Sequence, residues 1–160
     1  MKNRFLILSF MLLLVLISCQ VDMDDEMDCV SLDILLLPNS LEEVYGCSDT
    51  RYLEVALSED YALVRSQEEF EALVTGEGCS PEIDFTKYDL VIGKKGLPSG
   101  NTSIDYELGY TCNRGELLLQ VTFNQNGYLE APNITYHALI PKLSEGEYVS
   151  VELEVKTPVD

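Results

Sequence analysis

Three stretches of the chain alternate apolar and polar residues with a period of two. In the first, Ile104, Tyr106, Leu108 and Tyr110 share a side and Asp105 and Glu107 lie opposite. In the second, Leu117, Leu119, Val121 and Phe123 oppose Glu116, Gln120 and Thr122, and in the third Val149, Val151, Leu153 and Val155 oppose Ser150, Glu152 and Glu154. Successive side chains of a strand point to opposite faces, so this pattern predicts a sheet with one buried and one wet face. Asn113-Arg114-Gly115 predicts the hairpin turn between the first two. Tyr88–Ile92 and Ile134–Ile140, the latter stopped by Pro141, read as compact apolar strands, and Tyr52–Leu57 and Tyr61–Arg65 as short strands around a Ser58-Glu59-Asp60 turn. Ser31–Leu37 is apolar apart from its opening Ser31 and Asp33 and is stopped by Pro38, a first strand or an ordered lead-in. Asn39–Thr50 is rich in turn formers. One helix stands out: Ser66 and Glu69 form a capping-box pattern, Phe70, Leu73 and Val74 make one apolar face, and Gly76 and Gly78 stop it. Seven or so strands and one short helix predict an α+β, mainly antiparallel β fold, a single β-sandwich or open-barrel domain spanning 30–160.

The chain opens differently. Lys2 and Arg4 precede Phe5–Ile17, which is apolar but for Ser9 and too short to span a membrane comfortably. Leu16-Ile17-Ser18-Cys19 resembles the lipobox of bacterial lipoproteins, in which the cysteine is acylated and the peptide is cut before it. Residues 1–18 are therefore expected to be a lipoprotein signal peptide, with Cys19 the lipid-bearing first mature residue. Several acyl chains anchor a protein stably without a spanning helix. Asp22, Asp24, Asp25, Glu26 and Asp28 follow, so 19–29 reads as a solvated acidic tether. Gln20 is not the aspartate that retains lipoproteins in the inner membrane, and an acidic run at this place resembles a surface-export signal of some Gram-negative bacteria. The expected address is the outer membrane, lipid-anchored and exposed at the cell surface.

Removing 18 of the 160 residues leaves 142, enough for one core. Loss of Lys2 and Arg4 takes the formal net charge from −18 to −20. A chain so acidic is a poor nucleic-acid binder, because that affinity comes from cations meeting phosphates. Beyond Cys19 the cysteines are Cys29, Cys47, Cys79 and Cys112, an even number in an exported chain, which predicts disulfides. Four cysteines allow three pairings; the expectation adopted is Cys29–Cys47 with Cys79–Cys112. No Cys-x-x-Cys occurs and His137 is the only histidine, so neither a metal site nor any cofactor is expected. No Gly-x-Ser-x-Gly elbow accompanies His137, which is read as a packed or surface residue and not a catalytic one. The candidate binding loop is Lys94–Ser103, in particular Lys94, Lys95, Gly96, Ser99, Gly100, Asn101 and Thr102: two cations in an acidic chain, and glycines that let backbone amides approach an anion or a partner carboxylate. Tyr106 and Tyr110 are expected in the core, and Tyr128 and Tyr148 at the surface.

The order of elements carries one resemblance. Val64-Arg65-Ser66-Gln67-Glu68-Glu69-Phe70-Glu71-Ala72-Leu73, then Ile83-Asp84-Phe85-Thr86-Lys87-Tyr88 and an apolar strand, then Gly96-Leu97-Pro98-Ser99-Gly100-Asn101-Thr102-Ser103-Ile104, resembles the C-terminal domain family of PrcB, a protease-complex subunit. Tyr136–Lys142 sits where that family has its closing strand, and the likeness runs from about Arg51 to Lys156. The family's loop is of the form Pro-Thr-Gly-Gly-Tyr; here Pro98-Ser99-Gly100-Asn101-Thr102 lacks the second glycine and the aromatic residue. The resemblance implies a non-enzymatic accessory role, with an envelope protein such as a protease as the partner. A module binding glycan or peptide fragments is the alternative, and a hydrolase the third reading.

Overall fold

The computed structural model describes residues 37–57, 60–76, 78–111 and 116–157, with Thr111 described by its backbone alone. The signal peptide, Cys19, the acidic tether, Cys29, residues 31–36 of the first apolar stretch, Cys112 and the Asn113–Gly115 turn all lie outside the described residues.

Among the described residues, six strands form two three-stranded sheets. β1 (Tyr61–Val64), β2 (Tyr88–Gly96) and β5 (Asn133–Pro141) pair antiparallel in the order β1-β2-β5. β3 (Asn101–Thr111), β4 (Glu116–Gln125) and β6 (Val149–Lys156) form the other in the order β3-β4-β6. β3 and β4 are antiparallel, whereas β4 and β6 run parallel, with Leu117 opposite Val149 and Asn124 opposite Lys156. The fold is mainly antiparallel α+β, and the sheets do not close into a barrel.

The alternating residues meet between the sheets. Leu108, Leu117, Leu119, Val121, Phe123 and Val149 pack against Val91, Ile134, Tyr136, Ala138 and Ile140 in one buried cluster. Leu90, Ile92 and Leu139 face the other way and pack beneath Leu41, Leu53, Phe70 and Ile83. The first sheet is thus a middle layer, which is why β5 buries seven consecutive residues.

The outer layer holds two short helices. α1 (Leu41–Tyr45) arises within the expected turn region. Its start is a full capping box: Ser40 Oγ accepts from Glu43 N at 3.1 Å, and Ser40 N donates to Glu43 Oε2 at 3.3 Å. Gly46, at φ 68°, caps its end in the left-handed conformation that glycine adopts freely. α2 (Gln67–Leu73) is the expected helix, with Ser66 Oγ accepting from Glu69 N. Its carboxylate partner differs from expectation: Glu69 Oε2 accepts from Arg65 N at 2.7 Å, one residue before the cap. The helix also stops earlier, because Val74 turns extended and bridges Val55. Residues 52–57 form no strand; a 3-10 turn at Thr50–Tyr52 leads into that single bridge.

Cys47 and Cys79 are joined by a disulfide, with their Cα atoms 5.4 Å apart. This corrects both expected pairings, Cys29–Cys47 and Cys79–Cys112. The bond ties the end of α1 to the loop after α2, since both segments cover the same outer face of the first sheet. No helix among the described residues is long and apolar enough to cross a membrane.

Candidate functional site

The expected Lys94–Ser103 loop divides between strands and turn. Lys94, Lys95 and Gly96 belong to β2, opposite Thr135, Ile134 and Asn133, and Asn101 and Thr102 open β3. The connection proper is residues 97–100. Two of its amides are engaged by backbone carbonyls. Leu97 N donates to Pro132 O at 2.9 Å and Gly100 N to Tyr128 O at 3.0 Å, while Gly100 O accepts from Asn126 N at 2.8 Å. Ser99 O accepts from Gln125 Nε2 at 3.3 Å. Two loops, 97–100 and 126–132, are therefore laced together across one pole of the sandwich. A Cβ on Gly100 would lie 2.3 Å from Asn126 Oδ1, so a side chain there would displace the Asn126 amide that accepts from Tyr128 N. Asn101 Nδ2 donates to Ser103 O and Asn124 O, and among the described residues its buried Oδ1 has no hydrogen-bond partner.

This lacing presents apolar surface. Tyr128 is 71% exposed and Leu129 101% exposed, the latter the largest exposure of a large hydrophobic side chain among the described residues. Tyr128 N donates to Asn126 Oδ1 at 3.1 Å, which fixes the turn below them. The hydrogen bonds hold the backbone beneath these two side chains, which stand in water. The sequence marked Tyr128 as exposed; the Leu129 signal was an apolar residue among Asn126, Gly127, Glu130 and Pro132.

A second place gathers polar chemistry. At one corner of the sandwich a cleft of about 860 Å³ lies between α1 with its lead-in, Arg51, the start of β3 and His137 of β5. His137 is 3% exposed. Its Nε2 lies 3.4 Å from Glu42 Oε2, its backbone N donates to Tyr106 Oη at 3.2 Å, and Thr50 Oγ1 donates to the other Glu42 oxygen. Burial pushes the Glu42 carboxyl up, but hydrogen bonds from His137 and Thr50 and the attraction of the imidazole outweigh it, bringing its pKa from 4.5 to about 2. Burial raises the Tyr106 hydroxyl well above the ordinary phenol range. Arg51 Nη1 donates to Thr102 O at 3.3 Å.

A carboxylate holding one imidazole nitrogen is the orienting half of a base-assisted nucleophile. The other nitrogen, His137 Nδ1, is buried, and among the described residues no group forms a hydrogen bond with it. Among the described residues no group of His, Cys, Asp and Glu could hold a metal ion. The pair fixes α1 to the edge of β5.

Tyr110 and Tyr128 lie at opposite poles. Tyr110 is half exposed, against its expected core position, and lies level with Leu117 and Val149; Tyr148, which directly precedes Val149, is exposed as expected.

The fold and surface together define a two-sheet, β-rich module with an apolar loop pole and a polar corner cleft. No protein-family model, curated protein or solved structure matches the chain.

Proposed function

We propose that this chain is a lipid-anchored lipoprotein of the outer membrane, exposed at the cell surface, whose β-rich domain is a non-enzymatic accessory module that binds another envelope protein. Cys19 carries the lipid, the acidic residues 22–28 give reach, and the laced loop pole supplies contact. The carrying observation is the exposure of Tyr128 and Leu129 on a platform fixed by four hydrogen bonds between the 97–100 and 125–132 segments. Apolar and aromatic side chains at the centre of a contact carry most of its energy. Lys94 and Lys95, partly exposed in β2 near this pole, add cations suited to an acidic partner. The likeness to the PrcB C-terminal family favours a protease assembly as that partner.

The test places a photo-crosslinking amino acid at position 129 of the lipidated protein in native membranes, with position 107 as control. One stoichiometric envelope protein, captured at 129 alone and lost in Tyr128→Ser, is the expected result. Equal, heterogeneous capture at both positions would refute it. The binding-module alternative rests on the corner cleft, whose mixed polar and apolar lining suits a short peptide.

A further inference from the structure

Asn126 is the one asparagine of the chain that glycine follows. It stands just past the end of β4, where the two laced loops meet. Its backbone N donates to Gly100 O at 2.8 Å, and its side-chain Oδ1 accepts from Tyr128 N at 3.1 Å. The side chain is thus part of the turn that carries Tyr128 and Leu129. Asn126 is half-buried and Gly127 is exposed, so water reaches the turn.

This turn favours one reaction. A side-chain oxygen bonded to the amide two residues on closes a ring that includes the nitrogen between them, here Gly127 N. The asparagine carbonyl carbon is therefore folded back over that nitrogen. Donation by Tyr128 N–H also draws electron density from Cγ and stabilises the charge that Oδ1 takes up when a nucleophile adds, as the donors of an oxyanion hole do. Gly127 has no Cβ to crowd the approach. Among the described residues nothing hydrogen-bonds Gly127 N or Asn126 Nδ2, the attacking and the leaving nitrogen. Asn101 and Asn124 differ on both counts. Their Nδ2 atoms donate, to Ser103 O and Asn124 O in the first case and to Ser103 Oγ and Asp105 Oδ2 in the second, and threonine and glutamine follow them.

We propose that Asn126 is a self-modifying site, at which the folded protein converts its own asparagine to aspartate and isoaspartate. Gly127 N forms a bond to Asn126 Cγ, and the Cγ–Nδ2 bond breaks with its electron pair. The Gly127 amide proton passes by way of water to the leaving nitrogen, which departs as ammonia. Water then opens the cyclic imide at either carbonyl, and no oxidant or reductant is used. One opening gives aspartate; the other gives isoaspartate, whose main chain runs through Cγ and is longer by one carbon. Both products add a carboxylate to the loop pole. The longer main chain also shifts Tyr128 N relative to Gly100 O and loosens the lacing. The contact pole thus has a lifetime set by its own chemistry; that consequence rests on the contact reading proposed above, whereas the reaction does not.

The test incubates the full mature chain at mildly alkaline pH in heavy-oxygen water, folded and in parallel unfolded in guanidinium. Peptide mapping follows each asparagine, and isoaspartyl methyltransferase labelling tells isoaspartate from aspartate. In the folded chain Asn126 is expected to lose ammonia at least about tenfold faster than Asn101, Asn124 or Asn133, and within about tenfold of its own rate in the unfolded chain. A Cβ on Gly127 meets no atom within 4 Å, so Gly127→Ala keeps the fold and should slow Asn126 about tenfold or more by crowding the attacking nitrogen. An Asn126 that the fold slows beyond that margin, a loss spread evenly over the asparagines, or a rate unchanged in Gly127→Ala would overturn the proposal. The comparison of folded and unfolded parent chain decides even if Gly127→Ala does not fold. The isoaspartate-bearing fraction should exchange the Gly100 amide hydrogen faster than fresh protein does, and equal exchange would overturn the loosening of the pole. None of these readouts uses a partner. Failed capture at position 129 therefore counts against the contact reading alone, and an unreactive Asn126 against the self-modification alone.

Discussion

The two sheets bury their strands in different ways. β3, β4 and β6 cover one face and leave the other to water, so Asp105 and Glu107 stay exposed while Leu108 is buried. β2 and β5 are covered on both faces, by the facing sheet and by the α1, α2 layer. A strand with two covered faces has little access to water, so its polar groups turn to protein partners. Thr135 Oγ1 donates to Leu53 O at 2.8 Å, and His137 leans on Glu42. Asp89, fully buried, accepts from Lys142 Nζ at 2.6 Å and Leu143 N at 3.1 Å and lies 3.7 Å from Arg65 Nε. The one-faced sheet lets water solve the same problem. Substitutions should therefore cost far more in the middle layer than on the wet face, and three measurements grade that contrast.

The largest effect is expected at Tyr136. Its fully buried ring lies edge-on to Phe123, with centroids 5.8 Å apart, and crosses over Gly93 in β2. Tyr136→Ala should cost ~3–5 kcal/mol in denaturant unfolding. A Cβ on Gly93 would lie 2.3 Å from the ring's Cζ and hydroxyl. Gly93→Ala should then cost ~1–3 kcal/mol alone and much less in the Tyr136→Ala background, a coupling that a double-mutant cycle reads directly.

The glycine shows where sequence reading stops. Gly93-Lys94-Lys95-Gly96 looks like a loop because glycine and lysine are poor strand formers. It is strand because Tyr136, forty-three residues later, needs the space above Gly93. Such information is non-local, and no local pattern carries it. The alternation of β3, β4 and β6, the apolar run of β5 and the Ser66-capped helix were legible because each is set by its own spacing. α1 was written in Ser40-x-x-Glu43 but masked by the turn formers around it. The disulfide partner of Cys47 and the contact between Glu42 and His137 depend on which segments share the outer layer, and spacing along the chain does not encode that. The exposed loop pole was half legible, through Tyr128 but not through the laced amides of 97–100.

A smaller, pH-dependent effect is expected at the corner. Glu42 has a folded pKa of about 2, below its ordinary 4.5. A lowered carboxyl pKa contributes stability that is complete above the unfolded value and fades as pH falls through the folded one. The protein should lose this part of its stability between pH 4.5 and about 2. Glu42→Gln should be less stable at neutral pH and should show a flatter profile across that window in urea titrations. A Glu42→Gln profile parallel to that of the parent would separate the Glu42–His137 contact from any role in holding α1 to β5.

The smallest effect is expected on the wet face. Glu107→Gln should change stability by no more than about 0.5 kcal/mol, since the side chain lies exposed on β3. A large loss there would mean that something covers this face in solution.

The parallel pairing of β4 with β6 bears on the order in which the chain assembles. Between these strands the backbone leaves for the other sheet, lays down β5, and returns. β3 and β4 need only close a hairpin, a microsecond event, but β6 has no correct site until β5 has crossed and docked beside β2. Its contacts span the whole crossover, so their loop-closure entropy must be met before any of them forms. Val149–Lys156 leaves the ribosome after β5, which matches that order: β1 to β5 can pair before β6 is made, and β6 then locks them.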